Sequence, residues 1–488
     1  MENKETTYNL PDSWIWTTLG EIGIVTSGGT PLSRQPDFWG GDIAWITPAD
    51  LSNYKNKYIE QGQRSITKVG LDNSSAKLLP KGTVLFSSRA PIGYTVIAKN
   101  EIATNQGFKN LILTKSGYPD YIYYFLLASK QLAESYASGT TFLELSATKF
   151  SRIPIPLPPL SEQYRIVEKI EELFSELDKA QENLLNAQKQ LEIYKKTVLR
   201  DAFDGKYTKK RDKWIEVRFD KFCNLRRGFD LPLSKIKQGQ FPVITSSGIN
   251  GYHNEYKSKG PCLITGRSGN VGTVFFLEVE NYWPHNTVLY VTDYFNNMPK
   301  FVYYYFLTID FKSFSSSTAV PTLDRKKLYN IKCQIPELKE QNEIVREIEY
   351  RFTLLDNLEK SVIDNLKRIE IFKQIILRKA FSGNLVPQNA NDELATELLE
   401  RIKEEIKIYQ IQQKEITKNK PQKLVFMESN KTVKELLEEA TEPMEAKEIW
   451  QNSEHKDDIE KFYEELKQLS EGIEVSFEGL ISKLSLKR

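Results

Sequence analysis

The chain has 488 residues, of which 40% are hydrophobic and 27% charged, a composition typical of folded proteins. Its 67 lysine and arginine residues face 65 aspartate and glutamate residues, so the net charge of +2 does not indicate a strongly basic nucleic-acid-binding protein. No stretch approaches the roughly 18 apolar residues that cross a membrane, and the N-terminus lacks an apolar signal core. The three scattered cysteines fit neither a disulfide framework nor a metal site. We expect a cytoplasmic protein without a metal ion.

The charge is unevenly distributed along the chain. Residues 207–333 contain 19 basic and 10 acidic residues, for a net charge of +9, whereas residues 1–153 reach only +2. Residues 154–206 and 334–383 carry −2 and 0, and residues 384–488 carry −7. The neutral total therefore hides a basic body and an acidic tail. The excess charge suits contact with phosphate groups, although an ordinary solvated surface explains it equally well.

Two β-rich segments of about 130–150 residues each are predicted. One lies at the start of the chain and the other begins near residue 207. In both, short runs of β-forming residues alternate with glycine and proline. Trp14 and Trp214 stand near their starts, and residues 82–89 and 260–267 share a strand-to-loop pattern that ends in arginine. Between these anchors the two segments diverge. They are predicted to be two versions of one domain with different recognition surfaces.

A long helical segment follows each β-rich segment and forms an internal repeat with an offset of 178 residues. About 20 of the 48 positions in residues 158–205 are identical to their counterparts in residues 336–383. Proline precedes each copy, and Gly205 and Gly383 end them, which predicts two helices of about 40 residues, roughly 60 Å long.

Apolar residues in these helices recur at alternating steps of three and four, the pattern of a coiled-coil seam. The residues predicted to form the helix-pair and partner interface are Ile166, Ile170, Leu177, Leu184 and Leu191 in the first helix, and Ile344, Ile348, Leu355, Val362 and Ile369 in the second. Tyr194, Leu358 and Phe372 are predicted to extend the same seam. Leu185, Phe174 and Phe352 either form a second, outward apolar edge or cap the first seam.

Motifs for catalysis are missing from the sequence. It has no phosphate-binding loop, no Gly-x-Ser-x-Gly elbow and none of the Asn/Asp-Pro-Pro-aromatic tetrapeptides that amino-methyltransferases use. Its three histidines, His253, His285 and His455, lack metal-ligand spacing. We therefore expect no catalytic residues in this chain.

Two motifs resemble one known family. Pro156-Leu-Pro-Pro-Leu-Ser-Glu-Gln163 before the heptad helix, and the segment from Thr26 to Asp50 with its Gly-Gly-Thr-Pro core, closely resemble specificity subunits of type I restriction-modification systems. The resemblance covers roughly residues 10–410. It implies an α+β fold in which two β-rich target-recognition domains are separated by two long antiparallel coiled-coil helices. Beyond the resemblance, the sequence itself predicts a small helical C-terminal appendage.

The resemblance also implies a division into domains. Target-recognition domain 1 spans 1–157, spacer helix 1 spans 158–206, target-recognition domain 2 spans 207–335, and spacer helix 2 spans 336–383. Residues 384–423 are predicted to form a charged helical tail and linker, and residues 424–488 a small acidic domain for which a winged helix is one candidate fold. The net charge of −6 over residues 421–488 favours a protein contact or regulatory role over duplex binding.

As a member of this family, the chain would be the non-catalytic DNA-recognition subunit of a methyltransferase and endonuclease complex. It would recognise a bipartite, asymmetric site in double-stranded DNA and dock two methyltransferase subunits and restriction/translocase subunits through its helices. S-adenosylmethionine, ATP and Mg are expected on those partner subunits, with no cofactor bound by this chain. The alternative is a free-standing sequence-specific DNA-binding regulator. Such a protein would not need the helix pair to recruit partner subunits.

Base contacts are expected from the divergent polar loops, because arginine pairs with guanine, asparagine pairs with adenine, and serine and threonine contact bases or phosphates. The DNA-binding candidates are Ser27, Thr30, Ser33, Arg34 and Arg89 in the first domain, and Arg226, Arg227, Ser246, Ser247, Asn250, His253, Arg267 and Asn286 in the second. Arg89 and Arg267 occupy matching positions in domains that are expected to recognise different sequences. A shared phosphate contact or an internal brace is therefore favoured over base recognition for these two.

Overall fold

The computed structural model describes residues 9–139, 143–208, 211–316, 321–418, 431–440, 443–453, 455, 459–470, 472–478 and 481–486. The chain divides into two compact units. One comprises Leu10–Gln163 and Ala390–Arg488, and the other Met1–Asn9 and Tyr164–Asn389. Helices and strands both contribute to each unit, which confirms the predicted α+β class. The domain boundaries drawn from the sequence remain predictions, and residues 419–430 of the predicted linker and C-terminal domain lie outside the described residues.

The described part of the first β-domain, residues 10–157, contains two larger sheets and one two-stranded sheet. Its elements are β1 (Ile15–Thr18), α1 (Leu19–Ile22), β2 (Ile24–Ser27), β3 (Trp39–Ile46), β4 (Tyr58–Ile59), β5 (Arg64–Ile66), α2 (Lys68–Asp72), β6 (Val84–Ser88), β7 (Ile92–Ala98), β8 (Ala103–Thr104), β9 (Phe108–Ile112), α3 (Pro119–Ala128), α4 (Lys130–Tyr136), α5 (Ala147–Ser151) and β10 (Pro154–Leu157). The larger sheet has the order β2-β9-β6-β7-β4, and the smaller β5-β3-β8. Antiparallel pairing of β1 with β10 brings the two ends of the domain together.

The long helix α6 (Leu160–Phe203) leads into the second β-domain, residues 211–335. That domain contains β11 (Ile215–Arg218), α7 (Phe219–Phe222), β12 (Asn224–Arg227), β13 (Phe241–Thr245), β14 (Gly248–His253), β15 (Ser258–Lys259), β16 (Cys262–Gly266), β17 (Val274–Leu277), β18 (Asn281–Pro284), β19 (Val288–Asp293), α8 (Pro299–Phe306), α9 (Arg325–Leu328) and β20 (Lys332–Ile335). Its sheets have the orders β12-β19-β16-β17 and β14-β13-β18-β15, and β11 pairs with β20. The order β12-β19-β16-β17 matches β2-β9-β6-β7, so the two β-domains share one scaffold.

A buried hydrogen bond fastens each β-domain to the start of its long helix. Trp14 Nε1 donates to Glu162 Oε2 at 3.0 Å, and in the second copy Trp214 Nε1 donates to Glu340 Oε1 at 3.0 Å. Both carboxylates are buried. A buried indole N–H and a buried carboxylate each need a partner, and this bond supplies both.

The glutamine after each of these glutamates closes the helix start in the same way. Gln163 Nε2 donates to the carbonyl of Pro158 at 3.0 Å, and Gln341 Nε2 donates to the carbonyl of Pro336 at 3.1 Å. The repeated proline, glutamate and glutamine are thus explained by hydrogen bonds that fix where each helix begins.

The two long helices pack against each other in an antiparallel pair. Helix α10 (Leu338–Phe381) has 44 residues, as does α6, and each is about 66 Å long. Lys195, near the end of α6, pairs with Asp356 at 2.8 Å and Glu359 at 2.7 Å. Asp178, nearer the start of α6, pairs with Lys373, nearer the end of α10, at 2.8 Å. These ion pairs fix the opposed helix directions and confirm the predicted coiled coil.

The interface role of the ten predicted residues stays a prediction, whereas the burial of the long helices corrects the extension predicted for the seam. Buried interface residues are Ile166, Ile170, Ile344, Ile348, Leu355, Val362 and Ile369, and half-buried ones are Leu177, Leu184 and Leu191. Leu358, Phe372 and Tyr194 are 55%, 50% and 47% exposed, so their place on the seam was wrong. From Leu355 onward, α10 buries a position every seven residues and half-buries the position four residues after each of them, whereas the position three residues after each is exposed.

The segment after α10 belongs to the same compact unit as the first β-domain. Helix α11 (Ala395–Lys418) begins where the Ala395 N–H donates to the carbonyl of Ser13 at 3.2 Å. Glu405 accepts hydrogen bonds from the Ser116 N–H at 3.0 Å and hydroxyl at 2.9 Å, and Tyr409 packs on the β-domain core. The tail thus covers part of the first β-domain.

A small module ends the described chain. It contains α12 (Val433–Glu439), β21 (Met444–Glu445), α13 (Ala446–Asn452), α14 (Ile459–Gln468), β22 (Ile473–Glu478) and β23 (Ile481–Leu486). Its strands pair in the order β21-β23-β22 around a core that includes Val433, Leu437, Ile449 and Phe462. This order of helices and strands is typical of a winged helix.

Candidate nucleic-acid interface

Three chain segments meet at one end of each β-domain and form what we call the strand-end surface. In the first domain they are residues 27–30 after β2, Arg89 after β6, and the turn 105–107 between β8 and β9. In the second domain they are residues 227–230 after β12, Arg267 after β16, and the turn 285–287 between β18 and β19. Loops at strand ends are where a rigid scaffold usually presents its binding residues.

The backbone of this surface is the same in both domains. The Gly29 N–H donates to the carbonyl of Thr104 at 2.8 Å, and the Phe229 N–H donates to the carbonyl of Pro284 at the same distance. A Cβ atom on Gly28 would lie 2.0 Å from the Asn105 carbonyl oxygen, and one on Gly228 would lie 2.0 Å from the His285 carbonyl oxygen. Only glycine allows the two segments to approach this closely.

Matching positions on this backbone carry different side chains. In the first domain the Thr30 hydroxyl donates to the side-chain oxygen of Gln106. In the second domain the Asn286 side-chain amide donates to the Asp230 carboxylate. A neutral pair in one domain is therefore replaced by a charged group in the other, on the same pair of segments.

The second domain concentrates charge around Asp230. The Arg227 guanidinium lies 3.4 Å from the Asp230 carboxylate, and Arg267 Nη1 donates to the carbonyl of Asn286 at 3.5 Å. Partial burial lowers the pKa of Arg267, the nearby Arg227 lowers it further, and Asp230 opposes both effects. Arg227 and the Asn286 amide thus contact one carboxylate while Arg267 contacts the adjacent backbone, which leaves donors for an incoming acceptor.

In the first domain the equivalent arginine, Arg89, shares an acidic neighbour with a lysine. Arg89 lies 3.7 Å from Glu144, which is also 3.7 Å from the Lys109 ammonium group. Lys109 is only 5% exposed, and burial lowers its pKa, with Glu144 opposing that change. Arg89 therefore has the geometry of an internal brace, one of the two roles expected for it.

A hydroxyl and amide network lies beside the strand-end surface of the second domain. The Ser246 N–H donates to the Thr287 hydroxyl at 3.2 Å, and Ser246 itself is buried. Exposed Ser247 accepts from the Asn270 side chain at 3.1 Å. Of the two serines predicted in this domain, Ser246 is buried and Ser247 presents its side chain at the surface.

Other predicted residues lie outside the strand-end surface. Ser33 and Arg34 are exposed in the loop before β3, Arg226 is exposed on β12, and Asn250 is exposed on β14. Adjacent residues of a strand point to opposite faces, so Arg226 and Arg227 serve different faces of the sheet.

His253 differs from the other candidates because its ring is buried, with 4% exposure. Its Nδ1 accepts from the Lys237 N–H at 3.0 Å, and the ring packs edge-on against Trp283 at a centroid distance of 5.1 Å. This imidazole has a structural environment. Contact with DNA remains a prediction for all thirteen candidates.

Gln106, Asp230 and Lys109 were missed from the sequence, although each belongs to the strand-end surface or its support. Gly28 and Gly228, each at the end of a β-forming run, are the signal that could have found the first two. They are 200 residues apart rather than 178, because the β-domains differ in loop length, so the offset of the helical repeat does not align them.

The described part of the chain contains no group of three or more His, Cys, Asp or Glu side chains that could hold a metal ion. None of the helices in the described ranges is long and apolar enough to cross a membrane.

Comparison with known proteins identifies related chains. The MjaIX specificity subunit of a type I restriction enzyme from Methanocaldococcus jannaschii is 41% identical over 202 residues, which are 41% of this chain and 45% of that protein. The EcoKI specificity subunit from Escherichia coli K12 is 25% identical over 81% of this chain and 96% of its own length. A solved chain from a study of assembly and conformational transition in a type I restriction-modification system has a TM-score of 0.64, at 19% identity, over 78% of this chain and all of its own.

The last of these likenesses concerns the fold, which agrees with the predicted architecture. None of these relatives supports the alternative of a free-standing regulator. The family model described as the type I restriction modification DNA specificity domain matches residues 11–187 and 211–368, more than half of the chain. The chain therefore belongs to the type I restriction-modification DNA specificity family.

Proposed function

We propose that this chain is the DNA-recognition subunit of a type I restriction-modification complex and recognises a bipartite, asymmetric site in double-stranded DNA. Each β-domain contacts one half-site through its strand-end surface. The chain performs no catalysis itself. Its partners are two methyltransferase subunits and restriction/translocase subunits.

The observation that carries this proposal is the use of one backbone for two chemistries. Both β-domains bring the same three segments together around a glycine, yet one presents Thr30 and Gln106 and the other presents Asp230 and Asn286. A protein that recognises two unlike half-sites needs one scaffold with exchanged side chains.

The outward faces of the long helices support docking of partner subunits. Apolar side chains that are more than a third exposed include Leu185, Ile193, Leu354, Leu358 and Phe372. Exposed apolar residues that recur along a helix are typical of a surface that another helix covers. Phe352, by contrast, packs against Tyr304 of the second β-domain with ring centroids 5.8 Å apart, so it is not part of this face.

The chemistry belongs to the partners in this proposal. S-adenosylmethionine for adenine methylation, and ATP and Mg for translocation and cleavage, bind to the methyltransferase and restriction subunits. The complex acts on DNA in the cytoplasm.

The first experiment is selection of binding sites from randomised double-stranded DNA by the full-length chain with its methyltransferase partner. We expect a consensus with two unlike half-sites separated by a gap of fixed length. Half-sites approached from one face of the duplex lie about 34 Å apart, one helical turn. If the wild-type chain enriches no sequence, the proposed function is wrong.

A four-residue insertion in the middle of α6 tests the role of the helix pair. It adds about 6 Å to one helix, so we expect the selected gap to lengthen or binding to be lost, with both half-sites unchanged. The same four residues inserted at Asn100, in the exposed turn after β7, are the control and should leave the gap as it was. An unchanged gap with the α6 insertion would contradict the ruler role.

A further inference from the structure

An arginine that the sequence did not single out is stacked on a tryptophan in the first β-domain. The Arg64 guanidinium carbon lies 3.4 Å from the ring centroid of Trp39 and 5.7 Å from that of Trp45. Arg64 is the first residue of the edge strand β5, and its side chain is exposed. A guanidinium on an indole face is held by cation–π attraction and by stacking, so its plane is fixed before any ligand arrives.

The tryptophans under Arg64 are tied to the loop that carries the predicted base contacts. Trp39 Nε1 donates to the carbonyl of Leu32 at 3.2 Å, and Trp45 Nε1 donates to the carbonyl of Gly29 at 2.9 Å. The two indole rings meet edge-to-face with centroids 5.0 Å apart. The stacked guanidinium and the loop 28–35 therefore rest on one support.

The guanidinium of Arg64 keeps its hydrogen-bond donors available. In the described ranges, no carboxylate oxygen lies within 4.0 Å of its nitrogens. By contrast, Arg89 in the same domain is engaged by Glu144 and Arg227 in the second domain by Asp230. The Arg64 guanidinium is therefore oriented by the tryptophan stack and has no ion-pair partner in the described ranges.

We propose that Arg64 recognises a guanine in the half-site of the first β-domain. This inference rests on the proposed function and names one residue of its specificity. The stack presents the in-plane N–H groups edge-on, which matches the O6 and N7 acceptors of guanine in the major groove. A phosphate contact would need only the charge, which a mobile lysine or arginine supplies without an aromatic support.

The second β-domain supports this assignment by contrast. Strand β14 occupies the place in its sheet that β5 occupies in the first, next to the strand that runs parallel to its other neighbour. Asn250 and Tyr252 are exposed there instead of an arginine. The same edge thus presents a guanine-type reader in one domain and an adenine-type amide in the other.

The test compares Arg64→Lys and Arg64→Ala with Lys68→Ala, all in the full-length chain. Lys68 is an exposed cation on α2, close in sequence to Arg64, and pairs with Asp72 on its own helix at 2.9 Å. Binding is measured first by selection from randomised duplexes and then on duplexes that change one base pair of the wild-type consensus. Melting temperatures of all variants are compared with that of the wild type.

We expect both Arg64 variants to lose preference at a single G·C pair in one half-site, with about 5- to 150-fold weaker binding to the wild-type consensus. Replacing that base pair should not weaken DNA binding by the Arg64 variants any further, and Lys68→Ala should still select the full wild-type consensus. Equal weakening on every duplex with rescue by lysine would show a phosphate contact and overturn the inference. Unchanged selection by both Arg64 variants would also overturn it, whereas failure of the wild-type chain to select any sequence would defeat the proposed function itself.

Discussion

The two β-domains differ in how much charge they place on one and the same backbone. The first domain balances Arg89 and Lys109 against Glu144 and pairs Thr30 with a neutral glutamine. The second domain places two arginines around Asp230 and lies in a segment of net charge +9. Strand pairing and the two glycines keep the scaffold constant while the side chains vary. Fold and specificity are thus encoded at separate positions.

Gly28→Ala and Gly228→Ala attack the shared backbone, and we expect the largest effects from them. The new methyl group would meet a carbonyl oxygen at 2.0 Å, so the turn must move, at a cost of about 1–3 kcal/mol and with loss of binding by that domain. Urea unfolding midpoints and DNA affinity measure both effects. Gly472→Ala is the control, because its nearest neighbour atom lies at 3.6 Å. Tolerance of alanine in one domain alone would break the structural equivalence.

Arg267→Ala and Arg89→Ala test the difference in charge. We expect Arg267→Ala to weaken DNA binding about 10- to 100-fold on every sequence, because only one of its N–H groups is bonded, to the Asn286 carbonyl, among the described contacts, and the others can contact a phosphate. Arg89→Ala should weaken DNA binding less, since Arg89 is already paired with Glu144. Loss of that partly exposed pair should lower folding stability by only about 0–1 kcal/mol. Affinities on single-base variant duplexes decide the matter. A loss confined to one base pair would make Arg267 a base reader instead.

Glu162→Gln and Glu340→Gln test the joint between β-domain and helix. Each keeps one acceptor for the tryptophan N–H but loses the charge and exchanges the second carboxylate oxygen for an NH2 donor, so we expect about 1 kcal/mol of destabilisation in both copies. Thermal unfolding of the two variants should agree, and the exposed Glu176→Gln on α6 should match the wild type. Unequal losses would show that the two joints are not equivalent.

Lys109→Leu makes the first domain more like the second, where Leu289 occupies the matching place opposite the last residue of β12. Burial lowers the pKa of Lys109 below its usual 10.5, so the unfolded chain binds more protons just below that pH. The Lys109 contribution to the unfolding free energy therefore rises with pH in that window. The variant should lack this rise in unfolding free energies measured against pH. Parallel curves for the two proteins would contradict the assignment.

The long helices could be predicted because their information is periodic and local. Heptad spacing and a terminal glycine need no knowledge of the rest of the chain, and both Gly205 and Gly383 adopt a positive φ, of 76° and 73°. The error at Leu358 and Phe372 arose because periodicity alone does not decide which of two adjacent rows faces the partner helix. The row that faces the partner helix in the structure carries cross-helix ion pairs such as Lys195 with Glu359, which hydrophobic spacing does not reveal.

The candidate site could be predicted only in part, because its members are far apart in sequence. Polar composition pointed to Arg227, Arg267 and Asn286, which the structure brings together around Asp230. Nothing local distinguishes buried His253 from exposed Asn250, since both lie on the same short strand. Burial on a strand is decided by the sheet that packs beside it.

Each β-domain begins and ends on a single two-stranded ladder, Ile15 opposite Leu157 in the first and Ile215 opposite Ile335 in the second. Entry and exit points that adjoin each other make a domain a self-contained cassette. On the proposed function, exchange of one whole cassette at such a ladder should change the half-site recognised by that domain and leave the fold of the helices and of the other β-domain unchanged.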